Sequence, residues 1–370
     1  MAAAAMTSRL AERGRRALGQ GAGALLASAE AFVGGLAPGG GNGDPLAERD
    51  PDYIRTTLPA YRALTDLYFR PKVRGLEHIP AEGPVLLVGN HSGGTLIADT
   101  FAFAYAFYEY FGADRRFHQL AHDLAVSMPG ISALIRRYGT VAANHHNAER
   151  ALSSGAAVLV YPGGDQETYR PSWRSSQIDF ADRSGFVRLA LNQRVPIVPV
   201  VAIGGQETAL FLTRGERLAR ALRLDRKRLK VLPVQLAPPW GITVFDLPIR
   251  LPLPAEITIQ VLPPIDLRKR FGPNPSERAV YEAIIADMQA ALSGMAGERD
   301  LPVVGTVSPR RPEPPIPPKR LPGAEPWPRY DELTVPEVKA RLRGASAGRC
   351  EHVRRYELLH KNRKGVLEAT

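Results

Sequence analysis

Between residues 51 and 305, short runs of β-branched and aliphatic residues alternate with longer segments whose apolar positions recur every three or four residues. VLLVG (85–89), AVLVY (157–161) and PIVPVVAI (196–203) are nearly unbroken apolar runs, the pattern of strands covered on both faces. TLIADTFAFAYAFYEYF, the segment around NAERALSSG, and GFVRLALNQ lie between them with helical spacing. ITIQVL (257–262) reads as a late strand and SERAVYEAIIADMQAAL (276–292) as a closing amphipathic helix. Strands that alternate with helices predict an α/β domain, a mostly parallel central sheet flanked by helices. Ahead of it, Ile54, Leu58, Tyr61, Leu64, Leu67 and Tyr68 share a helical spacing that predicts a helix packed on the domain, with an interfacial helix as the alternative, limited or bent at Pro59.

The flanks differ in kind. Residues 1–50 are rich in Ala and Gly and predict a mobile arm with one weak helix. Residues 306–328 form a Pro-rich linker, with nine prolines among the twenty residues from 309 to 328, and such a chain is extended and semi-rigid. Residues 329–370 predict a small helical hairpin: Thr334 and Glu337 have capping-box spacing, and a Gly/Ser break at 344–348 separates a second helical stretch.

Composition narrows the class. With 370 residues, 44% hydrophobic and 23% charged, the chain can bury a large core, and no apolar run is long enough to cross a bilayer. Any membrane contact is therefore expected to be peripheral. The single cysteine, Cys350, rules out an internal disulfide framework and any Cys-based metal cluster, which fits a reducing cytoplasmic setting. Glu30 interrupts the apolar stretch near the start, which makes a poor secretory signal. The net charge of +11 is uneven: residues 308–370 carry fourteen basic and eight acidic side chains, and residues 214–230 carry eight and two. Within residues 209–230, Arg214, Arg217, Arg220 and Arg223 stand three apart among Leu and Ala, a ridge suited to an anionic membrane surface, where each basic group contributes about 1 kcal/mol. A solvated charged face is the plain alternative. No nucleic-acid partner is expected, because aromatics are not interleaved with these basic residues and no binding motif is present.

GPVLLVGNHSGG puts Asn90 and His91 directly after a buried strand, at the carboxyl edge of an open α/β sheet where such folds bind ligands. An imidazole there can accept a proton from an attacking hydroxyl if a carboxylate holds its other nitrogen. A structural histidine explains an isolated Asn-His pair equally well. YPGGDQET (161–168) likewise leaves a strand into a glycine turn and brings Asp165 and Glu167 towards the same edge, or else forms a tight turn with solvated acids.

GNHSGG, YPGGDQET and VPIVPV occur in that order, and the sequence resembles the glycerolipid acyltransferase superfamily, the lysophospholipid acyltransferase type, over roughly residues 70–300. The lead-in VRGLEHIPAEGPVLLVGNH resembles that family's approach to its histidine, and the PGG turn resembles the branch that makes neutral lipids. The resemblance implies His91 as general base with an acidic partner, an acyl thioester donor such as acyl-CoA as co-substrate, a lipid acceptor, and neither metal nor tightly held cofactor. The family's aspartate stands five residues after its histidine, where this chain has Leu96, and the nearest acid is Asp99. A continuous helix would carry Asp99 about 12 Å up the axis, so contact requires a non-helical loop at Ser92, Gly93 and Gly94. Asp123, at H-x4-D spacing from His118, is the substitute partner.

Asn90, Ser92, Gly163, Gly164, Asp165, Glu167 and Arg170 are then the expected substrate-binding residues, with N–H groups near Gly163 and Gly164 facing an oxyanion. Family members acting on phosphate-bearing acceptors place an Arg just after the turn, where this chain has acids, with Arg170 the first arginine. A neutral acceptor, diacylglycerol or a fatty alcohol, is therefore expected ahead of lysophosphatidate, whose phosphate Arg170 or Arg174 could still reach, at the cytoplasmic face of a membrane. The aromatic stretch FAFAYAFYEYF (101–111) is either core or the wall of an acyl channel. Two rival classes remain: a serine hydrolase using Ser92 in an elbow-like Asn90-His91-Ser92-Gly93-Gly94, and a non-catalytic lipid-binding protein.

Overall fold

The computed structural model describes residues 27–28, 30–31, 34, 43–128, 131–222, 231–246, 252–299, 326–327, 330–343, 345, 347–359 and 363–369. The chain divides into two compact units, residues 1–307 and 308–370.

The first unit is built on a seven-stranded sheet of β1 (Lys72–Arg74), β2 (Val85–Gly89), β3 (Phe117–Ala121), β4 (Thr140–Ala142), β5 (Ala157–Val160), β6 (Ile197–Ile203) and β10 (Thr258–Val261), in the order β1-β10-β6-β2-β5-β3-β4. β2 pairs in parallel with β5 and β6, and β3 with β5 and β4, while β10 runs antiparallel to β6 and carries β1 in parallel beside it. The expected mostly parallel sheet is therefore present, with two reversed strands at one edge.

Why β2 reads as an unbroken apolar run is visible in its two faces. Val85 and Leu87 enter one core with α1 (Pro51–Tyr68) and α2 (Ala98–Phe111). Leu86 and Val88 enter the other with α3 (His145–Ser153), α5 (Gly185–Gln193) and α7 (Glu277–Gly297). Each of these four side chains is fully buried, which stabilises the fold by about 1.5–3 kcal/mol apiece.

The Asp50 carboxylate accepts the Tyr53 N–H at 2.9 Å and caps α1, with Pro51 at its first position. Pro59 does not end the helix. The Ala60 N–H turns to the Ser28 hydroxyl at 3.0 Å, which satisfies a donor displaced near the proline. The packed face of α1 is Ile54, Thr57, Tyr61 and Thr65, whereas Leu64 and Leu67, placed on the packing stripe by the sequence pattern, are exposed. The aromatic stretch in α2 is core: Phe103 and Phe107 are fully buried, and Phe107 stacks on Phe117 of β3 at 4.3 Å.

The domain also begins earlier than residue 51. Arg49 donates to the carbonyls of Ala113 and Arg115 and lies over the Tyr108 ring, so residues 43–50 are fastened to the fold rather than part of an arm. Of the Ala/Gly-rich stretch 1–42, residues 27–28, 30–31 and 34 are described, and the expected arm otherwise lies outside the described residues.

β3 and β4 have no counterpart in the sequence reading, which met FHQLAHDL only as a formal H-x4-D. The structure separates that pair: His118 is buried in β3 with Nδ1 on the Gly139 carbonyl at 3.0 Å, while Asp123 is exposed. Burial pushes the His118 imidazole down to about 4. His118 is thus neutral in the fold but becomes protonated in the unfolded chain below its ordinary value of 6.5. Stability from this group is complete above pH 6.5 and is lost as pH falls towards 4. A loss of roughly 3 kcal/mol across that window is expected in urea titrations, and it should vanish in His118→Gln.

A second, antiparallel sheet of β7 (Leu210–Thr213), β8 (Val234–Ala237) and β9 (Gly241–Val244) follows β6, with a short helix α6 (Glu216–Ala221) after β7. The expected four-arginine ridge takes a different form. Arg214 precedes the helix and pairs with Asp179 at 2.8 Å, Arg217 and Arg220 are exposed, and Arg223 lies outside the described residues.

In the second unit, helices Val335–Leu342 and Ala347–Leu359 are joined by a third, Lys364–Leu367, so the expected hairpin has one more element. The Thr334–Glu337 capping box is present. Tyr330, Val338, Leu342, Val353, Tyr356 and Val366 form its core, and the buried Glu357 accepts the Tyr330 hydroxyl at 2.7 Å and the Arg363 N–H at 2.8 Å. The Pro-rich linker lies outside the described residues except for Pro326 and Trp327.

Candidate active site at the carboxyl end of β2

β2 ends where its backbone pairing does, and Asn90 extends that pairing with a side chain. Its amide donates to the Ala202 carbonyl at 2.8 Å and accepts the Ala202 N–H at 2.7 Å, completely buried. Asn90 is therefore a clamp between β2 and β6 rather than a substrate contact. It sets where the next residue leaves the sheet.

That residue is His91, whose side chain is 12% exposed. Its Nδ1 lies 3.3 Å from Oδ2 of Asp99, in the first turn of α2. The eight-residue spacing closes because the loop between them is not helical: Gly93, Gly94 and Ile97 all have positive φ. Gly94 is also closely enclosed, since a Cβ there would lie 2.2 Å from Oδ2 of Asp246 and 2.7 Å from the buried Phe211 ring, so a side chain at this position would force one of them to shift. The Asp99 carboxylate also accepts the Ser92 N–H at 2.7 Å, the Ser92 hydroxyl at 3.1 Å and the Thr100 N–H at 2.7 Å. Those bonds hold its oxygens rigidly towards the imidazole.

The ring of His91 stacks on Tyr161, 4.1 Å between centroids and 16° from parallel. Gly89 permits this, because a Cβ at that position would meet the Tyr161 ring at 2.5 Å. Neither Tyr161 nor Gly89 was expected at the site. The signal was present in their positions, each adjoining one of the two glycine-bearing strand exits.

Glu167 and Arg170 sit apart from where the sequence reading put them. Both are buried, 3.2 Å apart, so they form an internal ion pair and not an acidic mouth with a phosphate-gripping arginine. Glu167 accepts the His91 N–H at 2.8 Å and Arg170 donates to the His91 carbonyl at 3.2 Å, so the pair grips both ends of the histidine's backbone. Burial pushes the Glu167 carboxyl up to about 7, with Arg170 pulling the other way. Gly163 makes room for this pair, because a Cβ there would lie 2.6 Å from the Glu167 side chain. The Gly164 N–H is taken by the Tyr161 carbonyl at 3.2 Å, which removes it as an oxyanion donor. Asp165 is at the surface, paired with Arg183 at 3.0 Å.

Ser92 is 1% exposed and spends its hydroxyl on Asp99, so it supports the acid and has no path to a substrate. Among the described residues no cluster of three or more His, Cys, Asp or Glu side chains could hold a metal ion, and no helix is long and apolar enough to cross a membrane.

Residues 70–203 match the family model described as Acyltransferase. An uncharacterized protein of Mycobacterium tuberculosis is 32% identical over 207 residues, 56% of this chain and 55% of that protein. The "DGAT1/2-independent enzyme synthesizing storage lipids" of Bos taurus is 29% identical over 129 residues, 35% of this chain and 37% of that protein. "Phytyl ester synthase 2, chloroplastic" of Arabidopsis thaliana is 32% identical over 143 residues, 36% of this chain and 19% of that protein. The chain thus spans about half the length, or less, of the curated relatives it matches. The matched segment runs from just before β1 to the end of β6 and contains His91, Asp99, Glu167 and Arg170, so the similarity to the Acyltransferase family takes in the whole candidate site.

Proposed function

We propose that this protein transfers a fatty acyl group from a thioester, acyl-CoA or an acyl carrier, to the hydroxyl of a neutral lipid such as diacylglycerol or a fatty alcohol. The observation that carries the reading is the contact between His91 Nδ1 and Asp99 at the mouth of the sheet. With Nδ1 as the donor to Asp99, Nε2 is the basic nitrogen. It accepts the proton of the acceptor hydroxyl as that oxygen attacks the thioester carbonyl. The C–O bond forms, the C–S bond breaks, and the departing thiolate takes the proton back from the imidazolium. Asp99 stabilises the imidazolium while it exists.

Two arginines near the turn are already committed to other partners, which favours a neutral acceptor, and Arg174 is the exposed cation left beside them. Arg170 is bonded to Glu167 and to the carbonyls of His91 and Ser175, and Arg183 to Asp165 and the carbonyls of Pro162 and Gly163. The names of the Bos taurus and Arabidopsis thaliana relatives, a storage-lipid enzyme and an ester synthase, point the same way. A lipid acceptor places the work at a membrane surface, and the single cysteine fits its cytoplasmic face.

Purified protein incubated with labelled acyl-CoA and a panel of acceptors tests this. Ester is expected on diacylglycerol or fatty alcohol and not on lysophosphatidate, whereas preference for lysophosphatidate would reassign the acceptor. Ser92→Ala removes one of several hydrogen bonds to Asp99 and should leave the transfer rate within about tenfold of wild type. A loss equal to that of His91→Ala, with free fatty acid as product, would restore the hydrolase.

A further inference from the structure

We infer that the outer face of the β7–β8–β9 sheet is a docking surface for an anionic lipid bilayer. The inference rests on the reading of the acceptor as a lipid and says how the protein meets it.

A three-stranded antiparallel sheet with one face on the domain normally turns polar residues outward. This one does not. Leu210 pairs across to Leu236 and Leu236 to Ile242, so three aliphatic side chains lie in one row, with Val244 two residues further along the same face. All four are exposed, Ile242 by 70%. A contiguous apolar row of this kind marks a contact surface, unlike single exposed leucines.

The surroundings identify the occupant. Trp240, 52% exposed, stands in the turn between β8 and β9, and Trp173, 67% exposed, follows Ser172, whose hydroxyl accepts the Phe211 N–H of β7 at 2.9 Å. Half-exposed tryptophans beside an aliphatic face suit the interface between lipid headgroups and acyl chains. The helix that follows β7 adds exposed Arg217 and Arg220 together with exposed Leu218, and Leu222 follows it, also exposed. Cations beside an apolar face match an anionic bilayer, and they repel a second copy of a chain whose net charge is +11.

The opposite face of the same sheet braces the active-site loop. Phe211 is fully buried, and Gln235 of β8 donates to the Asp246 carboxylate at 2.7 Å. That carboxylate accepts the Thr95 N–H at 2.5 Å, in the loop joining His91 to Asp99. A bilayer seated on the outer face therefore lies one sheet away from the residues that order the base.

Flotation of the full-length protein with vesicles tests the assignment. Binding is expected to vesicles of phosphatidylcholine with 30% phosphatidylglycerol, and much less to pure phosphatidylcholine. Leu236→Ser with Ile242→Ser should weaken binding at least tenfold with an unchanged melting temperature, since both side chains are exposed. Arg217→Glu with Arg220→Glu should abolish the preference for phosphatidylglycerol. Unchanged binding in both variants would overturn the surface, as would sedimentation showing a wild-type dimer that Leu236→Ser with Ile242→Ser turns into a monomer. Acyl transfer by the wild type in detergent micelles separates the two readings. Transfer without vesicle binding sinks the docking surface alone, and vesicle binding without transfer sinks the proposed reaction alone.

Discussion

Replacing His91 by alanine is expected to lower the rate of acyl transfer by about 10³-fold, the middle of the range for a positioned general base. The KM for both substrates should change little, because the imidazole acts on a proton in flight more than on a bound ground state. The fold should survive. The ring's main contact is the Tyr161 face, while the backbone of residue 91 remains held by Glu167 and Arg170. Initial rates and a thermal melt on the same preparation check both halves. A rate within tenfold of wild type would remove the imidazole from the chemistry.

The second large effect is on stability and comes from Arg170→Met. Glu167 would be left in the interior without its partner, and removing one member of a buried ion pair costs about 3–5 kcal/mol. Adding Glu167→Gln should recover part of that loss, because the remaining buried charge is gone. The pH dependence has a definite sign. Burial holds the Glu167 carboxyl at about 7 in the fold, above its ordinary 4.5, so the folded state keeps a proton that the unfolded chain releases. This contribution is fully present below pH 4.5 and is lost as pH rises through about 7, and without Arg170 the decline should be steeper. Urea unfolding at pH 5 and pH 8 measures it. Equal stability of Arg170→Met and wild type at both pH values would mean the pair carries no such load.

What could be read in the chain follows from how strongly each feature constrains its own residues. β2, β5 and β6 have helices on both faces, which imposes the unbroken apolar runs. β3 and β4 are short, and β3 places His118 and Gln119 in the interior; the Gly139 carbonyl makes the imidazole tolerable there, and two adjacent polar residues leave no apolar pattern to read. The β7–β9 sheet is disguised differently: its apolar outer row lies in a segment whose most visible feature is basic charge.

The histidine and its acid were legible because strand exits and paired glycines carry geometric meaning in sequence. The roles of Glu167 and Arg170 were not, since a charged residue at a turn looks the same whether it faces water or the interior. Their three-residue separation, which puts two side chains on one side of a helical turn, was the available clue. Because Glu167 and Arg170 turn inward together, no acidic mouth repels a phosphate, and a neutral acceptor is favoured instead by the commitment of Arg170 and Arg183 to other partners.

The central claim is that His91 and Asp99 act as one unit, and the most direct test is transfer from acyl-CoA to a lipid alcohol by wild type, His91→Ala, Asp99→Ala and the variant carrying both changes. If Asp99 works through the imidazole, each single change slows transfer strongly, and the combined variant is no slower than His91→Ala. Losses that multiply would show two independent contributions and contradict the account, as would an Asp99→Ala enzyme as fast as wild type.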